Sequence, residues 1–181
     1  FSDYDLIYMG NGSNSNLSIA LEDIKKYKKE LKKYIDNNGY VIATGNSYLL
    51  FGEKINDTEC LKIFDYYAKY VERTAHGCLM KLLNQKDIIG FQNRNYIVNI
   101  NKNHLFKVID GISDNLKSEN EGYHENNFYG TSVIGPLLIR NPHFTNMIVK
   151  DILEKNNLVY HDDEFKLLNN AYNEYIKNFY S

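Results

Sequence analysis

Long apolar runs are missing from this chain. No stretch approaches the ~20 apolar residues that a membrane-spanning helix needs. No signal-peptide pattern opens it. Arginine is nearly absent: the 21 basic side chains are 18 Lys and only 3 Arg. Bidentate clamps for phosphate or carboxylate are therefore scarce. The 23 acidic side chains bring the net charge to -2, and a chain without a basic excess is no sequence-independent binder of nucleic acid. Cysteine is limited to Cys60 and Cys78. There is no CxxC and no Cys/His metal spacing, so neither a disulfide framework nor a metal site is expected, and a reducing cytoplasmic setting is the default. With 2 prolines, no linker and no internal repeat, residues 1–181 read as a single domain.

What is present is ordinary for a globular protein: 43% hydrophobic and 24% charged residues, enough to bury a core at this length. The 25 Asn beside many Lys, Ile and Tyr suit an AT-rich coding bias and need no functional account.

Residues 4–9, nearly all apolar, predict a strand covered on both faces. The glycine loop Gly10-Asn11-Gly12-Ser13 follows. Leu17, Leu21, Ile24, Tyr27, Leu31, Tyr34 and Ile35 recur at helical spacing, and Asn37-Asn38-Gly39 closes that helix. Residues 40–44 predict a second buried strand, Gly45-Asn46-Ser47 a tight turn, and residues 48–51 a short helix. Strand, loop, helix and strand make a βαβ unit with a parallel sheet. Residues 61–67, 78–83, 87–93, 96–100 and 104–109 predict short antiparallel strands. Residues 111–122 predict a loop and residues 123–133 a return to the sheet. Asn141-Pro142 predicts a helix start, with Asn as cap, running to residue 156. Residues 162–180 predict a last amphipathic helix.

Ligands of open α/β sheets bind beyond the C-terminal strand ends. Those ends carry Gly10, Asn11, Gly12 and Ser13 on one loop and Thr44, Asn46 and Ser47 on the other, so both are expected to line one crevice. Backbone N–H groups of the glycine loop are candidate oxyanion donors, and equally plain turn chemistry.

The residues also carry a resemblance. Residues 4–13 resemble the strand and oxyanion loop of class I glutamine amidotransferases. Gly39 to Gly52 resembles the family's nucleophile elbow, and Gly90-Phe91-Gln92-Asn93 its GFEN motif. Glu121-Gly122-Tyr123-His124 and residues 130–138 resemble its EGxHY and GTYLHGPLL stretches. The subgroup is the cobyric-acid-synthase-like one, of the glutaminase-subunit type found in lipid II isoglutaminyl synthase. The resemblance runs from Tyr4 to about Pro142 and implies a three-layer, flavodoxin-like α/β fold. Its central sheet would be mostly parallel with appended antiparallel strands, and the family's first βα unit would lie before Phe1. It adds Gln92 and Asn93 to the expected pocket lining. It implies no cofactor, and as protein partner a Mur-ligase-like or other synthetase subunit working on the peptidoglycan stem peptide.

The departures from the family carry the functional expectation. Aligned on Gly39, Ala43, Tyr48 and Gly52, the family's nucleophilic Cys falls on Gly45, which has no side chain. The family's His base falls on Ile134, which cannot take a proton. Loss of either member of such a pair removes most of the nucleophilic rate. The family's substrate-recognising Arg falls on Thr74, one residue from Arg73. Thr44 and Ser47 flank the apex, and hydroxyls satisfied within the turn are preferred to nucleophiles there. Cys60 and Cys78 read as buried thiols, and His124 as a hydrogen-bonding loop residue. His76, His104, His143 and His161 are scattered, without ligand spacing. The expectation is a catalytically degenerate glutaminase fold kept as a binding or scaffold subunit. The alternatives are an active amidotransferase or hydrolase with a non-standard nucleophile, and a small-molecule sensor whose pocket Gly45 and Ile134 make roomier.

Overall fold

The computed structural model describes residues 1–82, 86–161 and 165–181. β1 (Leu6–Met9) leads through α1 (Asn14–Ile24) and α2 (Lys28–Asp36) to β2 (Tyr40–Thr44), and a 3₁₀ segment, Gly45–Phe51, follows. A small hairpin, β3 (Lys54–Ile55) and β4 (Thr58–Glu59), precedes the long strands β5 (Tyr67–Lys81) and β6 (Ile88–Asn99). Then come β7 (His104–Asp110), β8 (Asn120–Glu125) and β9 (Phe128–Thr131), and the helices α3 (Leu137–Arg140), α4 (Pro142–Lys155) and α5 (Lys166–Tyr180). No described helix is long and apolar enough to cross a membrane.

One mixed sheet runs in the order β1-β2-β9-β8-β7-β5-β3-β4, with β6 on β5. β1, β2 and β9 are parallel, and the strands from β9 through β8, β7, β5 and β6 pair antiparallel. β2, next to the edge strand β1, has all five of its residues buried. Its pleat sends alternate side chains to opposite faces. Val41 and Ala43 join a cluster with Leu17, Leu21, Leu31 and Ile35 of α1 and α2. Tyr40 and Ile42 join another with Phe144 and Ile148 of α4. Helices on both faces of the strand make three layers, which is why β2 reads as a continuous apolar run.

The first cluster has an aromatic heart. Phe64 sits 4.6 Å from Phe128 and 4.8 Å from Tyr123, and Phe51 4.7 Å from Phe128. Such pairs add about 0.5–1.5 kcal/mol each beyond burial. They fix the 3₁₀ segment after β2 against the β8–β9 hairpin.

Several expected elements differ. The helix predicted over residues 17–35 is interrupted by a 3₁₀ turn at Lys25–Tyr27. Residues 61–66 are not a strand: Leu61, Phe64 and Tyr66 are buried as a core-lining loop. β5 and β6 are each longer than the runs that suggested them, and β5 is exposed from Lys69 to Gly77, where it shows no alternation of buried and exposed positions. The break expected between residues 93 and 96 does not exist, since Arg94 and Tyr96 are the buried positions of one alternating strand. Residues 123–133 hold a hairpin end rather than one strand. Asn141 precedes α4 as expected but makes no side-chain cap. Its carboxamide bridges α3 to β6 instead. Oδ1 accepts the Ile89 N–H at 2.8 Å, and Nδ2 donates to Ile89 O at 2.8 Å and to Leu137 O at 2.7 Å. The expected last helix begins in part at residues 162–164, which lie outside the described residues.

Asn141 is fully buried. Asn141→Ala leaves both backbone groups of Ile89 without their partner and is expected to cost about 2–4 kcal/mol, read as a lower denaturant midpoint at unchanged m-value.

Candidate functional site

Parallel pairing of Met9 with Ala43 ends β1 and β2 at the same edge of the sheet. The loops at Gly10–Ser13 and Gly45–Ser47 therefore meet there. At the apex, Gly45 has φ +66°, a conformation that side chains rarely accept. The space a side chain would need is also occupied. A Cβ on Gly45 would lie 2.3 Å from Asn11 Oδ1 and 2.4 Å from Asn11 Cβ.

Two asparagines clasp the loops. Asn11 Oδ1 accepts the Asn46 N–H at 3.0 Å. Asn46 Oδ1 accepts the Gly12 N–H at 3.0 Å, and Asn46 Nδ2 donates to Gly12 O at 2.8 Å. The N–H after an elbow apex and an N–H of the facing loop are the donors that an oxyanion would use. Here the Asn46 N–H, which follows the apex, and the Gly12 N–H of the facing loop are each taken by a side-chain carboxamide. From the other side, Tyr96 Oη donates to Gly45 O at 2.8 Å. The expectation of a roomier pocket at Gly45 is thus corrected: the volume released by the missing side chain is filled by Asn11.

The neighbouring hydroxyls are committed as well. Ser47 Oγ lies 2.8 Å from Met9 O and 2.9 Å from Thr44 O. Thr44 Oγ1 shares a hydrogen bond with Tyr8 Oη at 3.0 Å. Both residues are buried. Ser13 caps α1 by accepting the Asn16 N–H. Ile134 donates its N–H to Phe91 O. His76, His104 and His124 pair with Gly77 O, Asp114 and Phe128 O. Burial pushes the Cys60 thiol up to about 11 and the Cys78 thiol up to about 12, so neither is a thiolate at neutral pH.

Beside the clasp lies a cavity of about 180 Å³, lined by Asn11, Gly12, Ser13, Asn14, Asn46, Arg73, Asn93, Arg94, Asn95 and Tyr96. It gathers Asn11, Gly12, Ser13, Asn46 and Asn93 of the expected lining. Gly10, Thr44, Ser47 and Gln92 are not part of its wall. Gln92 is fully buried. Its carboxamide bonds to Ile112 O and N and to Ser132 Oγ, each at 2.8 Å. Sequence reasoning did not reach Arg94, Asn95 and Tyr96, and met Arg73 only as the neighbour of Thr74, not as part of the lining. The rarity of arginine was the available signal for Arg94.

Beneath the site is a buried layer of carboxyl groups. Glu121 is fully buried and accepts Thr131 Oγ1 and the Ser132 N–H, each at 2.6 Å. Asp114 is fully buried, accepts the Gly122 N–H at 3.0 Å and lies 3.4 Å from His104 Nδ1. Burial raises the Asp114 carboxyl against the opposing pull of His104 and Arg94. Burial, then the Asp114 charge, raises Glu121 to about 7. Among the described residues no group of three or more His, Cys, Asp or Glu is placed to hold a metal ion.

Two outcomes are expected. Gly45→Ala should lose about 1–3 kcal/mol of stability to backbone strain and to overlap with Asn11. Adding Asn11→Gly should recover part of the loss in the same denaturant titration. The Glu121 carboxyl has a folded pKa above its unfolded ~4.3. Its contribution to stability is complete below that value and is lost as pH rises through about 7. Wild-type stability should therefore fall more steeply from pH 5 to 8 than that of Glu121→Gln, measured by urea unfolding at each pH.

Residues 1–142 match the model of the CobB/CobQ-like glutamine amidotransferase domain. The lipid II isoglutaminyl synthase (glutamine-hydrolyzing) subunit GatD of Staphylococcus aureus strain N315 is 24% identical over 170 residues, covering 91% of this chain and 70% of that protein. The GatD subunit of Streptococcus pneumoniae R6 is 26% identical over 163 residues, and the match spans 84% of this chain and 62% of that protein. Among solved structures, that of PurLQS from Thermotoga maritima aligns with a TM-score of 0.58 at 10% identity, over 86% of this chain and 81% of the other. That likeness concerns the fold. The family match covers well over half of the chain: this protein belongs to the CobB/CobQ-like glutamine amidotransferase family.

Proposed function

We propose that this chain is a catalytically silent glutamine amidotransferase-like subunit that binds rather than hydrolyses. The observation that carries the reading is Asn11. Its carboxamide stands where a nucleophile at Gly45 would project, and it takes the Asn46 N–H that would meet an oxyanion. Glutamine hydrolysis in a family enzyme needs a thiolate, a base and vacant oxyanion donors. Gly45 and Ile134 supply neither of the first two, and the clasp consumes the third. Thr44 and Ser47 do not replace them, since both residues are buried, the Ser47 hydroxyl is turned to the Met9 and Thr44 carbonyls, and the Thr44 hydroxyl is bonded to Tyr8 Oη.

The partner we propose is a Mur-ligase-like or other synthetase subunit, in lipid II amidation or a related cell-wall reaction. The support is that the GatD relatives are named as subunits of lipid II isoglutaminyl synthase. We further propose that residues 1–181 act as a single domain in a reducing, cytoplasmic setting, which two buried free thiols suit.

The test is ammonia release from glutamine, by the protein alone and with a co-encoded ligase-like subunit. The expected result is no release above the buffer blank in either case. Turnover abolished by Ser47→Ala or Thr44→Val would overturn the proposal and establish a non-standard nucleophile. A second reading, a small-molecule sensor, is favoured by one feature: the cavity beside the clasp, with its arginines.

A further inference from the structure

The chain has three arginines, and two of them, Arg73 and Arg94, line the same cavity of about 180 Å³. Arg73 is exposed and sits in the irregular stretch of β5 between Tyr70 and Thr74. Such bulges re-aim side chains. Its Nη1 donates to Asn93 Oδ1 at 3.1 Å, which holds the guanidinium at the cavity mouth and leaves its other donors uncommitted by that bond. Arg94 is only 4% exposed. It donates from Nη2 to Ser113 O, while Nη1, also buried, has no hydrogen-bond partner among the described residues. A buried guanidinium donor without a partner is costly, and an acceptor supplied by a ligand or by water would relieve it. The remaining wall is made of Asn and Ser side chains, Gly12 and Tyr96, without a carboxylate. Arg94 does act on Asp114, but that fully buried carboxyl is not part of the wall. α1 begins at this wall, with Ser13 as its cap, and adds the positive end of a helix dipole.

We propose that this cavity binds a small oxoanion, a phosphate- or carboxylate-bearing metabolite, between Arg73 and the Arg94 side of the wall. The proposal rests on the reading that glutamine is not turned over here. It gives the silent crevice a ligand class: charge-assisted, planar recognition of oxygen by guanidinium. The Asn11–Asn46 clasp lies in the same wall, so occupancy is communicated to the two loops at the strand ends.

The test uses the full chain and three probes, inorganic phosphate, succinate and glutamine, by isothermal titration at constant ionic strength in chloride. Saturable binding of phosphate, of succinate or of both is expected, and which one binds distinguishes a phosphoryl from a carboxylate source. Arg73→Gln should weaken it at least about tenfold, whereas Arg140→Gln, away from the cavity, should leave it unchanged. Because Arg73 is exposed, its substitution leaves the fold intact. In amide NMR spectra the Gly12 and Asn46 signals should move with the same saturation curve. Absence of saturable binding by phosphate and succinate, binding that Arg73→Gln does not weaken, or glutamine bound in preference to both would overturn the proposal. Ammonia release overturns the silent-site reading by a separate assay, so the two failures are told apart.

Discussion

The two-way hydrogen bonding between the Asn11–Gly12 loop and Asn46 is the constraint on which the functional end of this molecule depends. A carboxamide is both donor and acceptor, so Asn46 satisfies the N–H and the C=O of Gly12 together, while Asn11 satisfies the N–H of Asn46. Neither contact is possible unless β1 and β2 end side by side, which the parallel register from Leu6↔Tyr40 to Met9↔Ala43 ensures. The buried alternation of β2 sets that register, because a slip of one residue would exchange the α1–α2 face for the α4 face. Fold and site are therefore joined: the core fixes the strands, the strands fix the loops, and the loops close on themselves through asparagine.

A second layer stiffens the site from below. Gln92, Glu121, Thr131 and Ser132 form one buried chain of hydrogen bonds across β6, β8 and β9, and Gln92 continues it into Ile112. Buried polar networks stabilise only when their members are satisfied. Glu121 meets this by accepting two short bonds and by a raised pKa that favours its neutral form. Gly122, at φ +77° with Gly130 O 2.5 Å from where a Cβ would sit, lets β8 and β9 approach closely enough for that chain to form.

Much of the architecture was legible in the sequence because it was written in burial. The apolar run at residues 40–44, the helical spacing from Leu17 to Ile35 and the stop at Asn38, which takes φ +60°, all follow from which faces must leave water. What was not legible lacked that signal. The middle of β5 is exposed on both faces and alternates nothing. The 3₁₀ turn at Lys25–Tyr27 contains neither Gly nor Pro. At the site, residues 10–13 and 44–47 were placed together by the βαβ topology alone, and Asn46 and Asn11 were expected in the lining. That Asn11 fills the apex was not readable, since it depends on a contact across 34 residues of sequence. Arg94 was hidden by its strand neighbours, because a buried arginine looks like a surface one until the partner strand is in place.

The central claim is that the oxyanion-type donors of this fold are occupied from within by asparagine. Amide hydrogen exchange at Gly12 and Asn46, resolved by NMR, measures it directly. The account predicts that both amides exchange slowly in the free protein, and that Asn46→Ala accelerates Gly12 while Asn11→Ala accelerates Asn46. Fast exchange of both amides in the wild type would mean that the clasp is open and the donors free, and would contradict the account.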